Sequence, residues 1–105
     1  MHHLTLAEKS LLIGDEITDL LLAYAAAVSG AGSGDHVTVH GIGVDGEQVA
    51  AQILLNSGTT LIAESSTSSL PEPDNDDLAV HLRDRLRFYG LLPLEGPPPA
   101  MGLGA

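Results

Sequence analysis

The sequence predicts an α+β domain in the order helix, three antiparallel strands, helix. Three observations carry that expectation. A capping pattern opens a long segment of helical apolar spacing before residue 30. The spacing changes period between residues 36 and 64, where Asp-Gly and Asn-Ser-Gly mark turns and the stretch from Glu47 to Leu55 alternates. It returns to helical spacing between residues 74 and 89, after Leu70-Pro71-Glu72-Pro73.

Thr5-Leu6-Ala7-Glu8 has the form of a capping box, and no proline intervenes before Gly30. Leu6, Ser10, Ile13, Ile17, Leu20, Leu21, Tyr24 and Val28 recur at near-helical spacing, which predicts one long N-terminal helix with a kink near Gly14. The stretch Leu20 to Val28 is apolar nearly all round, so its helix is expected to be buried on more than one side. That run is about half of the ~20 apolar residues a membrane span needs, and Asp15, Glu16 and Asp19 precede it.

Asp45-Gly46 predicts a tight hairpin with Val44 opposite Glu47, and Leu55-Asn56-Ser57-Gly58-Thr59 a second one with Gly58 in the left-handed region. The result is a three-stranded meander. In that register Ile42, Val44, Val49, Ala51, Ile53, Leu55, Leu61 and Ala63 face the helices. Val37, Val39, Ala50, Gln52, Leu54, Thr60, Ile62 and Glu64 face outward, with a bulge at Gly41 or Gly43 as a device that swaps faces.

Asp74-Asn75-Asp76-Asp77 opens the second helix, where carboxylates favour the positive helix end. Leu78, Leu82, Leu86 and Tyr89 form its stripe, and Gly90 ends it. Residues 1–90 therefore read as one domain and residues 91–105 as a proline-rich apolar tail.

Composition narrows the functional classes. A formal charge of −10 repels phosphate backbones and anionic membranes, so neither nucleic acid nor membrane is an expected partner. The absence of cysteine removes disulfides and thiol chemistry and suits the cytoplasm. With one Phe, two Tyr and no Trp, the core must be aliphatic and shallow, which oligomerisation would extend.

No pattern predicts catalysis. His36 and His40 share a strand face but stand roughly 13 Å apart, too far to share a metal. Counting from Asp74 as the first position of a calcium loop puts Ala79 and Arg85 where glycine and glutamate are required. The serines at 65–69 sit in no nucleophile elbow, and the glycine-rich stretches at 30–34 and 41–43 lack a phosphate-binding context. No catalytic, cofactor or metal site is expected.

The expected role is therefore a non-enzymatic interaction protein that self-associates as a homodimer or larger homo-oligomer. One candidate surface is Val37, Val39, Leu54 and Ile62; another is the helix face with Leu20, Leu21 and Tyr24. Arg83 and Arg87, one helical turn apart, form a possible subunit contact, and Leu91, Leu92 and Leu94 give the tail an apolar side that docks in cis or in trans. Two alternatives stand beside this. One is an acidic inhibitor, chaperone or immunity-type protein that neutralises a basic partner. The other is a ligand-binding domain or small enzyme built around His36, His40 and Glu64.

Overall fold

A computed structural model of the chain describes residues 1–92; Leu94 and the rest of the predicted tail lie outside the described residues. The elements are β1 (His2–Leu6), β2 (Lys9–Ile13), α1 (Asp15–Gly30), β3 (Asp35–Ile42), β4 (Gln48–Leu55), β5 (Leu61–Ser65) and α2 (Asp76–Phe88). The class is α+β, as the sequence predicts, but the sheet has five antiparallel strands in the order β4-β3-β2-β1-β5 rather than three in a meander.

The first difference lies at the N-terminus. Residues expected to start a long helix form a hairpin, with Leu6 paired to Lys9 across a two-residue turn at Ala7-Glu8. Ala7 carries φ 55°, a conformation that costs a residue with a Cβ about 1 kcal/mol. The spacing is ambiguous because both periods place Leu6 and Ile13 on a buried side. As strands, β1 turns Leu4 into the core, and β2 turns Ile13. What selects strands is β5, which pairs with all five residues of β1 from almost sixty positions away. The helix then begins at Asp15, with Asp15 and Glu16 in its first turn and Ile17, Leu21, Tyr24 and Val28 on its buried face.

The second difference is a register. Gly43 and Glu47, not Val44 and Glu47, close the β3–β4 hairpin: the Glu47 carbonyl accepts from the Gly43 N–H at 2.8 Å. Gly46 takes φ 85° at the end of the turn, where a side chain would be strained. A shift of one residue moves every side chain to the other face. Val37 consequently pairs with Ile53 and Val39 with Ala51, so Val37 and Val39 point into the core instead of outward, and no bulge is needed. Gly41 serves packing instead: a Cβ there would meet the Leu11 Cβ at 3.0 Å and the Ile13 Cγ2 at 3.1 Å.

The third difference is the destination of β5. It leaves β4 through a turn at Asn56–Thr59, in which Gly58 does not take the expected left-handed conformation, and pairs with β1 on the opposite edge. Were the sheet flat, the paired registers would set Leu55 and Leu61 on the order of 35–40 Å apart. The connection between them reaches at most about 22 Å. The sheet is therefore sharply coiled. Its two ribbons, β1-β2-β5 and β3-β4, meet through a single pair, Leu12 with Ile42.

Both helices cover one face of this sheet. Leu4, Ile13, Val37, Val39, Ile53 and Leu55 from the strands meet Ile17, Leu21, Tyr24 and Val28 of α1 and Leu78, Leu82 and Leu86 of α2. The end of α2 closes as a Schellman motif, with Leu91 N–H donating to the Leu86 carbonyl, Gly90 N–H to the Arg87 carbonyl, and Gly90 at φ 74°.

Candidate functional site

Besides the outer side of β5, which ends the sheet opposite β4, folding leaves over the edges of β4 and β3, whose hydrogen-bonding sides follow from one contact. The Asn75 side chain bridges to β3 twice: its Oδ1 accepts from the His40 N–H at 2.8 Å and its Nδ2 donates to the His40 carbonyl at 2.8 Å. His40 therefore directs both backbone groups away from β4. In an antiparallel ladder this property alternates. His36, Thr38, His40 and Ile42 direct their backbone groups away from β4, and Ile42 uses that side to meet Leu12. By the same alternation Asp35, Val37, Val39 and Gly41 exchange bonds with Leu55, Ile53, Ala51 and Val49. The backbone groups of Gln48, Ala50, Gln52 and Leu54 point to the outer edge of β4.

That outer edge is long and unguarded. Among the described residues no strand lies beyond β4, and of the outward groups the Leu54 carbonyl is taken by the Thr59 hydroxyl at 2.8 Å. Gln48–Leu55 contains no charged residue and no proline, the two devices that most often blunt an edge. Leu54 is 60 % exposed there, and Val49 is also partly exposed near the other end.

The second edge belongs to β3, where β2 has turned away into α1. It borders an open groove of about 670 Å³ lined by His36, Thr38 and His40 on one side and by Asp74, Asp76, Asp77 and His81 at the start of α2 on the other. At one end of it a half-buried network holds the helices to the strand. The Tyr24 hydroxyl donates to Asp35 Oδ2 at 2.6 Å, and His81 Nε2 lies 3.1 Å from the same oxygen. Burial raises the Tyr24 hydroxyl above its ordinary pKa, reinforced by the carboxylate beside it. Burial also opposes ionisation of Asp35. Hydrogen bonds from Tyr24, His81 and the His36 N–H outweigh it, and the carboxyl sits below its usual range. Among the described residues no cluster of three His, Cys, Asp or Glu is placed to hold a metal ion.

The structure distributes the sequence-nominated interface residues unevenly. Val37, Val39, Leu21 and Tyr24 are core residues, and Leu20 is half-buried against that core. Leu54 and Ile62 are exposed but lie on opposite edge strands. Arg83 is engaged within the chain by an ion pair with Glu16 of α1, and Arg87 is half-buried in the last turn of α2. Leu91 is exposed, whereas Leu92 packs against the core. His36 and His40 do share a groove, with His81 rather than with Glu64, which pairs across from His3 on the other ribbon. Sequence reasoning missed Thr38, Ala50 and Gln52 as edge positions. The uncharged run of β4 was a legible signal, but which strand ends a sheet is set by pairing partners elsewhere in the chain.

Comparison of the chain with family models, with curated proteins and with solved structures finds no match. Among the described residues no helix is long and apolar enough to cross a membrane.

Proposed function

We propose that this chain is a non-enzymatic interaction protein that works as a self-assembled homo-oligomer, with β4 as the self-association surface. The observation that carries the reading is the outer edge of Gln48–Leu55, eight uncharged residues whose outward side meets no strand among the described residues and, of its backbone groups, gives up the Leu54 carbonyl to Thr59. An antiparallel strand is its own complement. A second copy turned about a two-fold axis near Ala50 would satisfy the outward groups of Gln48, Ala50 and Gln52 in both chains and join two sheets into one. Leu54 of each copy would lose exposed area in the same contact. The charge of −10 opposes association in general, but none of it lies on β4, so the repulsion is long-range and screened by salt. A cysteine-free chain suits the reducing cytoplasm, where we place it.

The test is absolute mass by light scattering after size exclusion, on the full chain and on Ala50→Pro. Proline at this position removes an outward donor and leaves the β3 ladder intact. The wild type is expected above its monomer mass of 10.8 kDa, more so at high salt, and Ala50→Pro at the monomer mass with native circular dichroism. A wild type that stays monomeric at every concentration defeats the proposal, as does an Ala50→Pro variant that associates equally well. A truncation ending at Leu92 is expected to remain associated, which separates the β4 edge from the tail.

A further inference from the structure

The groove beside β3 has the geometry of a strand-addition site and a charge unlike that of β4. β2 accompanies β3 only at Leu12–Ile42, because the chain turns at Gly14 to start α1. From there back to Asp35, the side of β3 away from β4 has no neighbouring strand among the described residues. Asn75 shows what that side accepts: one side-chain amide donates to and accepts from His40, the same pair of bonds a strand residue would make. Two residues earlier, Thr38 directs its N–H and carbonyl into the groove in the same sense, and His36 adds its carbonyl. Asn75 closes one end of this opening and the Tyr24–Asp35–His81 network closes the other. The facing wall carries the exposed carboxylates of Asp74, Asp76 and Asp77.

We propose that this groove binds an extended peptide rich in lysine or arginine, which adds as a short strand to β3 at Thr38 with its basic side chains toward Asp74, Asp76 and Asp77. Backbone bonds to Thr38 set the orientation, and charge selects the occupant. The net charge of −10 steers a cation toward this wall and an anionic second copy away from it. The inference stands on β3 and α2 and is independent of the β4 contact.

The experiment uses fluorescence anisotropy with the full chain and a labelled peptide of alternating Lys and Val, about eight residues long. Controls are the same peptide with Glu for Lys, and one methylated on alternate backbone nitrogens. Thr38→Pro removes the outward donor without touching the β4 ladder; a triple Asp74→Asn, Asp76→Asn, Asp77→Asn variant removes the wall charge. Saturable binding of the Lys peptide is expected, with none of the Glu peptide and weaker binding at high salt. Thr38→Pro and peptide methylation should each cost about tenfold or more, and the triple variant a similar factor. Ala50→Pro should bind as the wild type does, which distinguishes this edge from β4. Should Thr38→Pro fail to fold, the methylated peptide asks the same question of the native chain. No saturable binding overturns the proposal. So does binding that depends on charge but is indifferent to backbone methylation, or binding that is lost in Ala50→Pro and kept in Thr38→Pro.

Discussion

The open edges of β4 and β3 lie on either side of the same two-stranded ribbon, yet they present opposite problems to a partner. The β4 edge is long and uncharged, and among the described residues no strand covers it; shape and self-complementarity are what it offers to discriminate among strands. The β3 edge is short, boxed by Asn75 at one end and by Asp35 and His81 at the other, and faced by carboxylates. Backbone chemistry is identical on both, since every unpaired N–H and carbonyl seeks a partner. What differs is the side chains that stand beside them. On the two proposals above, an edge without charge suits its own copy, and an edge behind an acidic wall suits a cation.

The largest expected effect tests the alternation on which both edges rest. At Ala51 the N–H belongs to the β3 ladder, one residue from Ala50, where it faces out. Ala51→Pro should destabilise the fold by about 3 kcal/mol or more, through a lost ladder bond in the best-paired ribbon. Ala50→Pro should change the midpoint of urea unfolding little. Equal effects at the two positions would reverse the assignment of inward and outward groups.

Removing the Asn75 side chain lengthens the β3 opening by the two backbone groups of His40. Asn75→Ala should cost about 2 kcal/mol, because a buried amide that ties α2 to β3 is lost along with both its bonds. Hydrogen exchange should show the His40 amide losing protection while those of Val37 and Val39 keep theirs. If His40 stays protected in the variant, the edge is covered by something other than Asn75.

The smallest effect lies at the other end of the groove. Asp35 has a folded pKa below its unfolded value, so its contribution is present above the unfolded pKa of about 3.9 and disappears as pH falls through the lower folded value. Asp35→Asn should therefore be less stable than the wild type at neutral pH by about 1 kcal/mol, and the gap should close in acid. Thermal melts of both proteins across that range provide the measurement. A gap that persists unchanged at low pH would mean that the carboxylate charge has no part in holding Tyr24 and His81.

Much of this molecule was legible in local pattern. The stripe Leu78, Leu82, Leu86 of α2 is buried as its spacing predicts, and Gly90 terminates the helix. The β3–β4 hairpin stands where Asp45-Gly46 announced it. The face assignment of β4 and β5 holds in part, with Ile53 and Leu55 inside and Leu54 and Ile62 outside, while Val49, expected against the helices, is exposed. The candidate site was less visible. Leu54 was named, but its companions Val37 and Val39 went to the core on a register one residue different from the expected one.

The division has a physical cause. Composition and short-range spacing determined the α+β class, the second helix, the central hairpin and the acidic charge, because each depends on residues within a few positions of one another. Tertiary pairing alone decided the rest. Whether residues 2–13 wind or extend depends on β5, almost sixty residues away, since a short apolar run satisfies either period until a partner strand supplies its hydrogen bonds. Which edges remain open depends on where β5 lands and where β2 turns away. Both are settled by long-range contacts that local spacing does not encode.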